Sequence, residues 1–252
     1  MKFSIITVTY NSSATIEKTI LSVISQTYRD YEYNVIDGGS VDGTKDVIDK
    51  YKDYISYWKS EPDNGIYDAM NKAIEHANGD WFFFINSDDV FCNNEILESV
   101  SKKILSKKVV YYGDVLMTPG NNIYLGEFDK RKICMTNICH QAIFYPKEVF
   151  YKYKYETKYR LYADWYLNIK CMADIDFRFE YLSEVISVFD IGGTSSSHND
   201  SLFKSDYYNI IKSNFGFKYY LYLFFLHYKK CLLSIYYRIF KPSAFHDVWT
   251  IY

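Results

Sequence analysis

Trp81-Phe82-Phe83-Phe84-Ile85 runs without a polar side chain straight into Asn86-Ser87-Asp88-Asp89, so an apolar stretch ends on two adjacent carboxylates. Neighbouring carboxylates repel each other, and both stay ionised only if a cation or several hydrogen-bond donors offset the repulsion. Their hard oxygens match Mg²⁺ or Mn²⁺, ions that reach a protein through one or two carboxylates and take phosphate oxygens and water in their other positions. A competing reading makes Asp88 or Asp89 the N-cap of a helix starting near Asn93 or Asn94. A cap uses one acid and leaves the other unexplained. The apolar run itself reads as a buried strand, and open α/β sheets hold their ligands at the carboxyl ends of such strands.

The elements that must position these acids alternate strand and helix through the first ninety residues, the pattern of βαβ crossovers and a mostly parallel sheet. Phe3 to Val8 forms the first strand, Thr9 to Ser13 a polar turn, and Ile16, Ile20, Val23 and Ile24 recur at helical spacing. A second strand, Tyr31 to Ile36, leads into the loop Asp37-Gly38-Gly39-Ser40-Val41-Asp42-Gly43-Thr44, whose glycines admit positive φ and a close backbone approach to a ligand. After a short strand at Ile55 to Trp58, the cluster Pro62-Asp63-Asn64-Gly65 breaks the chain. A helix with Ile66, Met70, Ala73 and Ala77 as its buried stripe follows. Further on, the spacing predicts a helix near Glu95 to Leu105, a strand near Val109 to Leu116 and a hairpin around Thr118 to Asn122. It also predicts a helix near Ala163 to Met172, a strand from Phe177 to Val188, and a flexible loop from Gly192 to Asn199.

Bulk properties narrow the classes. At 252 residues, 48% hydrophobic and a formal net charge of −2, the chain can bury a large core and lacks any electrostatic basis for holding nucleic acid. Small molecules are the expected partners. The chain starts almost directly in a strand-like segment, so the expectation is a cytoplasmic protein without a leader. Its five cysteines show no paired zinc spacing and an odd count, which fits reduced thiols. Aromatic residues reach 20%, compatible with a sugar-facing surface, a membrane-facing surface or a compositional bias.

Four blocks, in this order, resemble the family 2 glycosyltransferases, inverting nucleotide-sugar enzymes of the GT-A fold. They are Ile5-Ile6-Thr7-Val8-Thr9-Tyr10-Asn11, Val35 to Thr44, Asp63 to Ala73, and Asn86-Ser87-Asp88-Asp89; the likeness continues more faintly through His140-Gln141 and Ala163-Asp164-Trp165, to about residue 195. The resemblance implies a Rossmann-like α/β domain over residues 1–200, with a nucleotide-sugar half (1–115) and an acceptor half (116–200). A helical, aromatic-rich extension fills 201–252. It implies donor contacts at Thr9, Tyr10, Asn11, Asp37, Gly38, Asp68, Asn71, Asn86 and Ser87, with Asp37 accepting from the N3 position of a uracil ring. The family's metal motif is an Asp-any-Asp triplet, here Asn86-Ser87-Asp88, which makes Asp88 the principal ligand of Mn²⁺ or Mg²⁺. Asp89 and His198 are secondary candidates, and Asn86 a nucleotide contact through its carbonyl oxygen. Asp164 is the implied base that deprotonates the acceptor hydroxyl, while His140, Gln141 and Trp165 lie at the donor or acceptor.

Plainer roles compete at several positions. Asp37 suits an Asx-turn in its loop, Asp68 a surface pair with Lys72, Asp164 the first turn of its helix, and Trp165 the core. The implied function is transfer of a sugar from a nucleotide-diphosphate donor of the UDP class to a glycan or lipid-linked acceptor of a bacterial surface polysaccharide. Rival readings are a nucleotidyltransferase, opposed by the lack of Lys or Arg in Thr9 to Ser13, and a non-catalytic sugar- or nucleotide-binding protein, kept open by Asn86. Tyr219 to Lys241 is too short in each apolar part to span a bilayer, for which roughly 20 residues are needed. Its aromatics and flanking Lys and Arg suit either the inner face of a membrane or packing on the domain.

Overall fold

The structure, a computed structural model, describes residues 2–124, 126–190 and 200–240. Its strands are β1 (Phe3–Thr9), β2 (Tyr31–Asp37), β3 (Tyr57–Ser60), β4 (Trp81–Phe84), β5 (Val90–Phe91), β6 (Val109–Thr118), β7 (Asn122–Tyr124), β8 (Ile143–Pro146) and β9 (Arg178–Asp190). The helices are α1 (Ile16–Ile24), α2 (Thr44–Lys50), α3 (Ile66–Glu75), α4 (Ile96–Lys103), α5 (Lys130–Ile133), α6 (Glu148–Lys152), α7 (Ala163–Ala173), α8 (Ser201–Phe215) and α9 (Phe217–Phe240).

All nine strands join one sheet in the order β3-β2-β1-β4-β8-β6-β9-β5, with β7 beside β6. β3, β2, β1 and β4 are parallel, as the βαβ alternation requires, and Thr9 and Asp37 stand in register at their carboxyl ends. β8 then runs antiparallel to β4 and to β6, so the sheet becomes mixed where the sequence alternation fades. The expected hairpin is present as the antiparallel pair of β6 and β7.

Trp81 to Phe84 is buried on both faces. Phe83 stacks on Phe144 and Phe91 at 4.5 and 4.9 Å on one face, while Phe82 stacks on Phe150 at 5.5 Å on the other. Each such side chain contributes roughly 1.5–3 kcal/mol by leaving water, which makes β4 a rigid rail for the polar residues that follow it. α1 packs Ile16, Ile20 and Val23 into the cluster holding Phe3, Ile5 and Phe83. α3 packs against β1 and β2 with Tyr67, Ala69, Met70 and Ala73 buried. Its stripe is therefore shifted from the expected one: Ile66 and Ala77 are half-buried, because the helix starts on Gly65 and ends at Glu75, turning Tyr67 inward.

Four cysteines are free among the described residues, Cys92, Cys134, Cys139 and Cys171. The chain divides into two compact units, Met1–Ser205 and Asp206–Tyr252. Within the second, Tyr208 stacks edge-on with Tyr220 and His227, and α9 leaves Phe224, Phe225, Tyr228, Leu232 and Leu233 exposed. Among the described residues, no helix is long and apolar enough to cross a membrane. His198 and the rest of the loop expected at Gly192 to Asn199 lie outside the described residues.

Candidate active site

Loops leaving β1 and β2 meet at the carboxyl edge of the sheet and are tied together by their own side chains. Asn11 adopts φ 48°, a left-handed conformation that its short polar side chain tolerates. Its N–H donates to Ser40 Oγ at 2.7 Å and its Oδ1 accepts from the Val41 N–H at 3.1 Å. The Ser12 N–H donates to Thr44 Oγ1 at 2.8 Å and the Ser13 N–H to Asp42 Oδ2 at 3.0 Å. Thr44 donates to Asp42 in turn, and these bonds hold the Asp42 carboxyl well below its ordinary pKa.

Asp37 is fully buried beneath this loop. Its Oδ2 accepts from the Gly39 N–H, the Ser40 N–H and Ser60 Oγ at 3.2, 2.9 and 2.6 Å, and its Oδ1 accepts from the Ser40 hydroxyl. The Asx-turn arrangement is thus present in full, with donors converging on a carboxylate that has no face toward solvent. Gly38 is needed for space: a Cβ there would stand 2.5 Å from Asp63 Oδ2 and 3.3 Å from Tyr10 Cδ2. Tyr10 is 62% exposed and presents its ring at the rim.

The end of β4 forms a second corner. The Ile85 N–H donates to Ile6 O at 2.9 Å, and the chain then turns, with the Asp89 N–H donating to Asn86 O at 3.1 Å. Thr19 Oγ1 of α1 clamps the turn by donating to Asp89 O at 2.7 Å and to Asn86 O at 3.2 Å, and Ser87 Oγ donates to Ser12 Oγ at 2.9 Å. Asp88 is exposed on this turn, whereas Asp89 is 1% exposed. The two acids are not a matched pair, because the turn sends one outward and folds the other in. The helix-cap alternative fails as well: β5 intervenes, and α4 starts at Ile96 with Glu95 as its N-cap.

Two polar atoms at this edge, Thr9 Oγ1 and Asn86 Oδ1, are buried without a hydrogen-bond partner among the described residues. An unsatisfied buried group costs about 1–3 kcal/mol, so the corner is built to receive polar groups from outside. Among the described residues no three His, Cys, Asp or Glu side chains gather as a metal cage. One exposed carboxylate beside unsatisfied polar atoms fits a hard ion that arrives with a diphosphate and water, rather than one held by protein ligands alone.

Asp164 lies in the first turn of α7 and is 7% exposed. Its Oδ1 accepts from Tyr67 OH at 2.9 Å and from the Trp165 N–H at 2.7 Å; its Oδ2 accepts from Asn137 Nδ2 at 2.9 Å and lies 3.4 Å from His140 Nδ1. Burial and the Asp164 charge push the Tyr67 phenol well above its usual pKa, so it remains a donor. Burial pulls the His140 pKa down, but the hydrogen bond to Asp164 and the charges of Asp164, Asp89 and Asp88 outweigh it and leave the value raised. The opposite ring nitrogen, His140 Nε2, is 2.8 Å from Asn86 Nδ2. Asn86, His140 and Asp164 therefore form one chain from the end of β4 to the start of α7.

Other expected residues sit elsewhere. Asn71 is clasped to the main chain of Tyr155, donating to its O at 2.9 Å and accepting from its N–H at 3.0 Å. Both ends of the amide are thereby occupied, which makes it a brace between α3 and the segment before α7. Asp68 accepts from the Asn64 N–H at 3.0 Å and pairs with Lys72 at 3.3 Å, on the rim of a cavity of about 350 Å³ that Asn64, Thr157 and Arg160 also line. Trp165 is half-buried: its Nε1 donates to Ile133 O at 2.7 Å and its ring packs on Tyr162 and Phe203. Gln141 is buried, and its carbonyl accepts from Ser187 Oγ at 2.7 Å. Sequence reasoning missed Tyr67 and Asn137, which hold Asp164. Tyr67 sits inside a recognised block, Asp63 to Ala73, while nothing in the sequence marks Asn137.

Comparison with known proteins supplies the remaining evidence. The family model described as glycosyl transferase family 2 matches residues 4–170. A PGL/p-HBAD biosynthesis glycosyltransferase of Mycobacterium bovis is 34% identical over 209 residues, 80% of this chain and 82% of that one. A UDP-Glc:alpha-D-GlcNAc-diphosphoundecaprenol beta-1,3-glucosyltransferase of Escherichia coli is 32% identical over 126 residues, half of this chain and 49% of its own length. Among solved structures, S. aureus TarS 1-349 in complex with UDP-GlcNAc shares the fold at TM-score 0.67 and 21% identity, over 84% of this chain and 65% of that one. The mannosyltransferase PcManGT from Pyrobaculum calidifontis, in complex with GDP-Man and Mn²⁺, does so at TM-score 0.62 and 17% identity, over 77% of this chain and 58% of that one. The mixed sheet with its parallel β3-β2-β1-β4 part is thus a GT-A-like fold, and the chain belongs to the family 2 glycosyltransferases.

Proposed function

We propose that this glycosyltransferase moves a sugar, with inversion, from a nucleoside-diphosphate donor of the UDP class to a glycan or lipid-linked acceptor in bacterial surface polysaccharide synthesis. One observation carries the reading: a buried carboxylate, Asp164, is held by Tyr67 and Asn137 and joined through His140 to a corner where Thr9 Oγ1 and Asn86 Oδ1 lack partners among the described residues. Inversion needs one base on the acceptor side and a stabilised leaving group on the other. Asp164 supplies the first. Its hydrogen bonds fix the carboxylate while it takes the proton of the attacking hydroxyl.

On the donor side, Tyr10 stacks on the base of the nucleotide, and Thr9 Oγ1 and Asn86 Oδ1 take hydrogen bonds from its hydroxyls. Asp37 and Asn11 act by shaping the loop. Asp88 would hold Mg²⁺ or Mn²⁺, which when bound neutralises charge on the departing diphosphate. Residues 1–115 form the donor half and 116–200 the acceptor half. Support for a UDP donor and a lipid-linked acceptor comes from two similar proteins, the E. coli UDP-Glc:alpha-D-GlcNAc-diphosphoundecaprenol glucosyltransferase and TarS in complex with UDP-GlcNAc. The test is release of UDP from UDP-sugars with Mn²⁺ and a panel of lipid-diphosphate acceptors. Wild type turns over and Asp88→Ala does not; equal inactivity of both across the panel would end the reading.

The lipid-linked acceptor has a second support. Between Asp206 and Asp247 the chain carries Lys212, Lys218, Lys229, Lys230, Arg238 and Lys241 and no acid, while Phe224, Phe225, Tyr228, Leu232 and Leu233 are exposed. Exposed aromatics among cations match an anionic bilayer surface. Flotation with anionic vesicles tests this, with binding lost on deletion of residues 219–252.

A further inference from the structure

Asn86 departs from the acid expected at the first position of the metal motif, and the structure gives that departure a use. An ionised carboxylate only accepts hydrogen bonds, so the tautomer that suits the contact of His140 Nδ1 with Asp164 Oδ2 at 3.4 Å carries its proton on Nδ1. That leaves Nε2 as the nitrogen whose state can change, and its neighbour at 2.8 Å is the Asn86 amide. An amide meets Nε2 in either state, donating through Nδ2 when the nitrogen is bare and accepting through Oδ1 when it is protonated. A carboxylate at 86 would meet only the protonated ring, and would place the imidazole between two acids. Asn86 Oδ1 is also one of the buried atoms without a partner, so the amide has a group in reserve for whichever state His140 or a ligand presents. The backbone on both sides is fixed, by Thr19 at Asn86 O and by Ser187 at Gln141 O.

We propose that His140 is a positioning residue that links the donor corner to the base, using Nδ1–H to aim Asp164 and Nε2 to engage the Asn86 amide, and that Asn86 keeps this link intact in both charge states of the ring. The proposal rests on the reading of Asp164 as base. It goes further in assigning one side chain to couple donor occupancy with base alignment across the gap between β4 and α7.

Asparagine and glutamine at position 140 separate the two arms, since an asparagine amide reaches the place of Nδ1 and a glutamine amide that of Nε2. With a UDP-sugar that wild type turns over, His140→Gln keeps the donor KM and loses kcat by about 10–100-fold, the range for partners that orient a reactive group. His140→Asn shows the opposite split, with the larger change in donor KM and in UDP affinity by calorimetry. Nitrogen-15 shifts of the imidazole, readable without turnover, show Nδ1 protonated at neutral pH in the wild type. A bare Nδ1, or two variants that match wild type in both constants, would overturn the proposal. So would equal losses in both constants alongside a lowered melting temperature, the mark of packing alone. Inactive Asp164→Asn beside silent His140 variants removes only the coupling; Asp164→Asn at wild-type speed removes the base and the coupling together.

Discussion

Two neighbouring corners of the same sheet edge are built on opposite rules. At the ends of β1 and β2, Asp37, Asn11, Ser40, Asp42 and Thr44 bond to one another, and Tyr10 turns its ring outward. At the end of β4, the main chain is clamped by Thr19, yet Asn86 Oδ1 is buried with no partner among the described residues, as is Thr9 Oγ1 at the adjoining end of β1. Satisfied polar groups make architecture; groups left without partners mark where a ligand completes the structure. The contrast teaches that a residue inside a recognised motif can be tied fully into the shape of its loop.

The strongest way to sharpen that contrast is at Asp164, the proposed base. Asp164→Asn should lower transfer by about 10²–10⁴-fold, the usual contribution of general base catalysis, with UDP binding by calorimetry retained. Asp88 and Asp89 come next. Loss of a Lewis acid removes several kcal/mol of charge stabilisation, so Asp88→Ala should lower turnover by about 100-fold or more and abolish the Mn²⁺ dependence of UDP binding. Asp89→Asn should act mainly on the melting temperature, because that side chain is buried; a metal phenotype equal to that of Asp88→Ala would break the distinction.

Within the satisfied corner, Asp37→Ala strands the Ser40 and Ser60 donors and should destabilise the fold by about 1–3 kcal/mol in a urea titration. Tyr10→Ala, at an exposed ring, should leave stability within about 0.5 kcal/mol and weaken UDP binding. If the two effects were exchanged, the division between architecture and ligand surface would be wrong. The smallest effect lies away from the site. Asp174 is drawn down to a pKa of about 2: burial raises it, but the hydrogen bonds from Lys152 and Tyr153 prevail. A lowered folded-state pKa stabilises above the unfolded value, about 3.9 for an aspartate, and that contribution is lost as the pH falls toward 2. Asp174→Asn should therefore be less stable at neutral pH and lose less stability between pH 4 and 2, followed by circular dichroism.

The parallel half of the fold was legible because its strands are continuous apolar runs and its loops carry breaker residues at fixed places. Periodicity placed the stripe of α3 one residue out, since it cannot register that Gly65 starts the helix and rotates Tyr67 inward. Motif likeness brought Asp88, Asn86, His140 and Asp164 to one edge. It left Asp37 with two readings, shaping its loop and facing a nucleobase, because both uses place a carboxylate in the same Gly-rich loop. Asn71 was hidden for a related reason: an asparagine that grips the main chain of a segment 84 residues away leaves no local trace. The same holds for Asn137, whose partner Asp164 is 27 residues off.

That grip of Asn71 on Tyr155 sets where the chain tolerates insertions. Tyr155 is anchored to α3 by a pair of bonds that imitates one rung of a sheet, and Tyr67, on the same helix, holds Asp164. Residues inserted ahead of Tyr155 leave both of these contacts in place. Residues added between Tyr155 and Asp164 have two fixed posts to satisfy and must pull one of them loose, so swapped segments meant to change acceptor choice belong upstream of that rung.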